Sequence, residues 1–374
     1  MSFTVRDLLI LARIPGIGSH RLRALVQFFK DPRALSHAPL RHLVQVEGIE
    51  RKSALAIGHF FQSHAIRAAE READLQLLRL QRTGGRIIAL WDEEYPSALK
   101  KIYDPPPLLF LRGALRQIDG SSIAVVGTRH PSSYGSLIAE RFAAELARRG
   151  VTVVSGLARG IDTHAHAAAL RAGGRSVAII GSGIDVIYPA ENKTLAARIE
   201  ESGAIVSEYE MGTKPDAVNF PRRNRIISGM TLGTLIVETG IGGGAMITAS
   251  TALDQNREVF AIPSALGEKG PSGTNRLIKE GKALLTESVD DILAELGPRL
   301  RGIAQQRTAT ERIPPEGLSL FERKVYDAVE EEPLHIDQLA SRTGFVPGEA
   351  LVCLLSLEFK GLVRQLAGKR FVKI

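Results

Sequence analysis

The chain has 374 residues, with 48 Lys plus Arg against 41 Asp plus Glu and a formal net charge of +7, which is more than one ordinary domain needs. With 44% hydrophobic and 24% charged residues it can bury a sizeable core, so a chain disordered throughout is excluded. One cysteine, Cys353, forbids an intramolecular disulfide and fits a reducing compartment. The N-terminal apolar run is broken by Arg13 and Pro15 and lacks a small-residue cleavage site. No stretch reaches the roughly 18 apolar residues of a membrane span. The expectation is a soluble, cytoplasmic, multidomain protein.

The basic excess is uneven. Residues 1–82 carry 13 basic and 7 acidic side chains, residues 83–296 carry 23 and 24, and residues 318–374 carry 8 and 8. A polyanion bound by the middle segment must therefore meet a local cluster, and Arg222, Arg223 and Arg225 form the densest one there.

Residues 1–82 show no strand-like alternation and predict short helices over 5–13, 19–29, 37–44, 51–61 and 70–81. Ile14-Pro15-Gly16-Ile17-Gly18 and Val46-Glu47-Gly48-Ile49-Glu50 each precede a helix, 32 positions apart, as in a tandem helix-hairpin-helix, SAM-like unit. Such glycine turns free backbone N–H groups for a phosphate, but they equally serve a purely structural module, and Glu50 would repel an anion at the second copy.

Residues 83–296 alternate strands and helices. Strands are expected over 86–91, 108–111, 122–126, 151–155, 176–180, 204–207, 232–238 and 258–262, as near-continuous apolar runs. Helices are expected over 137–148, 163–172, 193–201, 245–255 and 275–279. Buried parallel strands joined by crossover helices give this pattern, and the predicted fold is an α/β doubly wound, Rossmann-like parallel sheet. A polar linker, 297–317, leads to residues 318–374. There, helices over 320–330, 336–343 and 347–359 precede strands over 362–366 and 370–374, the outline of a winged helix. Its third helix carries Glu349 and Glu358 and is otherwise apolar, which argues against base reading and for a protein contact or a spacer.

Ligands of an open parallel sheet bind beyond the carboxyl ends of its strands. Those positions read Gly127-Thr128-Arg129, Gly156 to Asp162, Gly181-Ser182-Gly183-Ile184-Asp185, Glu208-Tyr209-Glu210 and Gly240 to Gly244. Glycine there permits close backbone approach, and the helix starts that follow aim N–H groups at an anion. The first turn is no GxGxxG and no Walker A loop occurs, so NAD, FAD and ATP-driven chemistry are disfavoured and no cofactor is expected. His164 and His166 diverge on a helix, which disfavours a metal pair; Asp162 and Asp185 suit helix capping; Ser155 lacks a nucleophile elbow. These residues point to an anion and leave DNA and a nucleotide both open.

Val126-Gly127-Thr128-Arg129 with Ser133-Tyr134-Gly135, then Ser155 to Asp162, Gly181 to Asp185 with Tyr188-Pro189, Phe220 to Gly229, and Ser272-Gly273-Thr274-Asn275 occur in order. Together they resemble the DprA/Smf family across essentially all of 83–296. The resemblance implies a single-stranded DNA-binding protein of natural transformation, not an enzyme, that protects incoming DNA. It would load RecA recombinase onto strands coated by single-strand-binding protein, as a homodimer through the Rossmann-like domain. Carried over by motif, Arg129 binds a phosphate approached closely at Gly127, and Arg222, Arg223, Asn224 and Arg225 line the groove with Ser133, Gly156, Gly181 and Gly183. The alternative is a nucleotide-processing enzyme similar to the lysine-decarboxylase-like phosphoribohydrolases, with Gly242-Gly243-Gly244-Ala245 as its loop and Glu238 as its acid.

Overall fold

Each residue of Ser122–Val126 is buried, and this two-sided burial marks a strand at the centre of a covered sheet. The computed structural model describes residues 3–265, 272–310, 318–330, 334–360, 362–366 and 368–373. It divides into two units, Met1–Arg307 and Thr308–Ile374.

The first unit opens with six helices: α1 Val5–Leu11, α2 Ser19–Phe29, α3 Pro32–Ser36, α4 Leu40–Leu43, α5 Arg51–Gln62 and α6 Ala65–Arg82. Then follow β1 Arg86–Ala89, β2 Leu108–Gly113, β3 Ser122–Val126, α7 Ser133–Arg148, β4 Thr152–Ser155, α8 Ile161–Arg171, β5 Ser176–Ile179, α9 Lys193–Ser202 and β6 Ala204–Ser207. The unit continues with α10 Asn219–Met230, β7 Gly233–Ile236, α11 Gly244–Asp254, β8 Glu258–Ala261, α12 Gly273–Lys279, β9 Leu284–Leu285 and α13 Val289–Thr310.

The sheet order is β1-β2-β6-β5-β4-β3-β7-β8-β9. Neighbours from β6 to β9 pair in parallel, while β1 and β2 form an antiparallel edge on β6. Chain order reverses between β3 and β7, which places the topological switch point, and any ligand crevice, at their carboxyl ends. Alternate strand residues feed the two faces. Ile123, Val125, Val153 and Leu235 pack against α7, α8 and α13, whereas Ala124, Val126, Val154 and Ile236 pack against α10, α11 and α12. Each fully buried Val, Ile or Leu contributes about 1.5–3 kcal/mol, so this doubly covered sheet is the stable frame from which the rim loops start.

The N-terminal helices share one core with the sheet edge: Leu8, Leu25 and Ile57 belong to the same cluster as Phe110, Ala178 and Ile205. Polar contacts reinforce the junction, with Gln76 accepting from Met211 N at 2.9 Å. The paired glycine turns are present, Gly16 at φ +77° and Gly48 at φ +71°. Arg21 ties them together by donating to Gly16 O at 2.8 Å and Gly48 O at 2.9 Å.

Several elements escape the sequence reading, short α3 among them. The first turn of α10 contains Pro221, tolerated there because early N–H groups have no partner, and its basic run hides the buried stripe Ile226, Ile227 and Met230. Helix α13 runs across Gly297-Pro298 into the segment read as a linker, anchored by Val289, Ile292 and Leu296 in the core; linker residues 311–317 lie outside the described residues. Two-residue β9 is too short for a periodic signal.

The second unit has α14 Leu320–Ala328, β10 Leu334–His335, α15 Ile336–Thr343, α16 Pro347–Phe359, β11 Val363–Leu366 and β12 Arg370–Lys373. Its sheet order β10-β12-β11 completes a winged helix around Val325, Leu339, Leu354, Leu357 and Phe371.

Candidate functional site

At the switch point lies a cleft of about 650 Å³, walled by the turn after β3, the start of α10 and the glycine-rich start of α11. Arg129 is exposed on its rim, with its guanidinium carbon 5.2 Å from the centroid of the Phe220 ring. Tyr188, also exposed, stands 6.0 Å from Phe220, tilted by 45°. Among the described residues no carboxylate forms a salt bridge with Arg129 or with exposed Arg222. The rim therefore offers Arg129, a cation with no salt bridge among the described residues, beside two π faces, a pairing suited to phosphate and to planar rings, whereas exposed Arg222 stands outside the residues that line the cleft and feels the charge of Glu208.

Arg223 is different. It is 4% exposed on the cleft floor and turns its guanidinium inward, donating to Gly156 O at 2.6 Å and to Ile179 O, with its charged carbon 5.9 Å from the Phe220 centroid. Burial lowers its pKa to about 10, against the pull of Asp162, so it remains a cation at neutral pH. Asp162 in turn accepts from Gly156 N at 3.0 Å and Ala158 N at 3.3 Å, and burial raises its pKa. Gly156 is required by packing, since a Cβ there would lie 2.1 Å from the Arg223 guanidinium.

The same loop puts Leu157 in the left-handed region at φ +56°, where a branched side chain is unfavourable. Two hydrogen bonds and burial hold it. Leu157 N donates to His166 Nε2 at 3.3 Å, Leu157 O accepts from Asn192 at 2.9 Å, and the leucine side chain is fully buried. His166 Nδ1 meets Ser176 Oγ at 2.7 Å, and burial lowers the imidazole pKa to about 3. This histidine is thus a neutral structural group.

Glu238, after β7, fills the start of α7. Its carboxylate accepts from Ser132 N at 3.0 Å and Ser132 Oγ at 2.8 Å, and a Cβ on Gly135 would lie 1.8 Å from it. A carboxylate thus takes the place a phosphate would occupy at that helix start. Both its oxygens are engaged by Ser132. Along the glycine-rich approach to α11, a Cβ at Gly240, Gly242 or Gly244 would meet nothing within 4 Å among the described residues, whereas one at Gly243 would lie 2.2 Å from the Thr239 hydroxyl.

The remaining residues singled out by sequence are dispersed. Gly127 lines the cleft but is also a packing position, its Cβ direction meeting Ile161 at 2.5 Å; Asn224 lines the cleft. Ser133 is the exposed first residue of α7, outside the cleft wall. Gly181 packs under Phe220, and Gly183 against Glu210 O. Arg225 points away, forming an ion pair with Glu208 and lying 3.9 Å from Asp104, because successive helix residues diverge by about 100°. Composition alone does not separate these arginines. The aromatic that accompanies them, Phe220, stands directly before Pro-Arg-Arg and is the signal that reading for charge overlooks.

Fold and cleft together define a Rossmann-like protein with a cationic switch-point cleft, joined to a winged-helix unit. Residues 86–297 match the family described as DNA recombination-mediator protein A, and residues 309–369 match the DprA winged helix domain. The chain belongs to the DprA/Smf family. It is 34% identical over 394 aligned residues to Protein Smf of Synechocystis sp., a match covering 96% of each chain. It also resembles the X-ray structure of DprA from Streptococcus pneumoniae, with TM-score 0.64, 33% identity and coverage of 79% of this chain and 99% of that one. DprA from Helicobacter pylori, whose structure was reported for its single-stranded DNA binding mode, matches with TM-score 0.52, 29% identity and coverage of 57% and 96%.

Proposed function

We propose that this chain binds single-stranded DNA at the switch-point cleft and promotes RecA loading on strands coated by single-strand-binding protein, as in natural transformation. The observation that carries the reading is exposed Arg129, without a salt bridge among the described residues, beside the Phe220 and Tyr188 rings. Backbone phosphates contact Arg129 and the N-terminus of α11, Arg222 meets the strand beyond the cleft, Gly127 lets the strand approach, and Asn224 supplies an amide. Bases stack on the aromatic rings, which is a sequence-tolerant contact available only to unpaired strands. Arg223 acts from below by holding Phe220 and the Gly156 loop in place. The Helicobacter pylori relative's single-stranded DNA binding supports the same ligand class.

The strand is held by charge and stacking with no bond made or broken, so part of it stays accessible to a recombinase. Dimerisation through the Rossmann-like unit belongs to the same reading: edge strand β9 exposes Leu284 and Leu285, an unpaired apolar edge of the kind a second copy covers.

A mobility-shift comparison of mixed-sequence single-stranded and duplex oligonucleotides tests the reading. Preference for single strands, lost in a folded Arg129→Ala chain, is the expected result. Equal affinity for both forms, or full binding by Arg129→Ala, would overturn it.

A further inference from the structure

Helix α16 is apolar on two opposite faces. Ala350, Leu354 and Leu357 enter the core of the winged helix, whereas Val352 (68% exposed), Leu355 (39%) and Phe359 (93%) stand on the far side. A helix apolar all round belongs in an interior, yet only one face of this one is covered. The exposed residues follow 4-3-4 spacing, Gly348, Val352, Leu355 and Phe359, with Leu351 beside them. That spacing is the seam of a helix that packs lengthwise on another helix.

We infer that α16 pairs antiparallel with α16 of a second copy about a two-fold axis between Val352 and Leu355. In that register Val352 of one chain meets Leu355 of the other. Gly348, the smallest residue of the stripe, receives Phe359, the largest and most exposed. Glu349 comes alongside Lys360 of the other copy, which within its own chain holds Glu322 at 2.8 Å. Charge favours this partner over nucleic acid, because Pro347–Phe359 contains two carboxylates and no cation. Self-association meets no net repulsion, since residues 318–374 carry 8 basic and 8 acidic side chains. The stripe amounts to roughly 400 Å² per copy, within the size that marks an interaction surface but below the ~800 Å² of a stable standard interface. The pairing is therefore weak alone and strengthens when another contact already joins two chains.

The test uses full-length chains in which Cys353→Ser removes the native thiol. One preparation carries Val352→Cys and the other Leu355→Cys; they are mixed at high protein concentration under mild oxidation. The antiparallel register yields a mixed disulfide-linked dimer, several-fold above the yield when Arg364→Cys, exposed on β11, replaces Val352→Cys. Adding Phe359→Asp to both chains lowers the yield to the control level, with the far-ultraviolet circular dichroism unchanged. A seam yield no higher than the control overturns the pairing, and so does a yield insensitive to Phe359→Asp.

Discussion

Arg129 lies 5.2 Å from the centroid of Phe220, and Arg223 lies 5.9 Å from the same ring, yet only Arg129 is exposed. One aromatic ring thus separates an arginine available to a ligand from one committed to the fold. In Arg129→Ala, affinity for single strands falls for all sequences, and the slope of log affinity against log salt becomes shallower by about 0.7, the value of one phosphate contact. Phe220→Ala costs about 1–3 kcal/mol of binding through lost stacking and leaves the slope nearly unchanged. Fluorescence anisotropy across a salt series measures both.

The inward-facing guanidinium makes the opposite prediction. Arg223→Ala leaves Asp162 buried without its cation and Gly156 O and Ile179 O without their donor, so it lowers folding stability by about 3–5 kcal/mol. Arg222→Ala, at an exposed position, changes stability by less than about 0.5 kcal/mol while weakening binding. Chemical denaturation of the two variants, set beside their DNA affinities, separates the roles.

Acid sensitivity follows from His166. Its folded pKa, about 3, lies below the ordinary value of 6.5, so the unfolded chain binds the proton first and stability falls as pH drops from about 6.5 toward 3. The slope from this one group reaches about 1.4 kcal/mol per pH unit. Asp162, with its pKa raised by burial, works in the other direction, losing stability as pH rises through its folded pKa. In His166→Gln the stability at neutral pH is lower, and its decline between pH 6 and 4 is flatter than in the parent chain, as followed by urea denaturation at each pH.

Gly135 and Glu238 are coupled by contact. A methyl group at Gly135 would collide with the Glu238 carboxylate at 1.8 Å, so Gly135→Ala expels the group that caps α7 and costs about 2–4 kcal/mol. Combining it with Glu238→Ala removes the collision, and the double variant is more stable than the sum of the single losses, by about 1–2 kcal/mol in a double-mutant cycle.

Much of this protein was legible before any coordinates. Two-sided apolar runs such as Ser122–Val126 require a covered parallel sheet, and in such a sheet the glycines after each strand must gather at one rim, because strand direction alone decides that. The Rossmann-like class, the winged helix and the approximate location of the cleft all follow from local pattern. What the arginines do does not follow. Arg222, Arg223 and Arg225 are near neighbours in sequence, but a helix turns them to solvent, to the floor beneath Phe220 and to Glu208 respectively. Only tertiary packing could place Glu238, more than 100 residues away in sequence, where an anion would otherwise sit at α7. Local sequence sets the backbone conformation, whereas burial and charge compensation depend on residues distant in the chain.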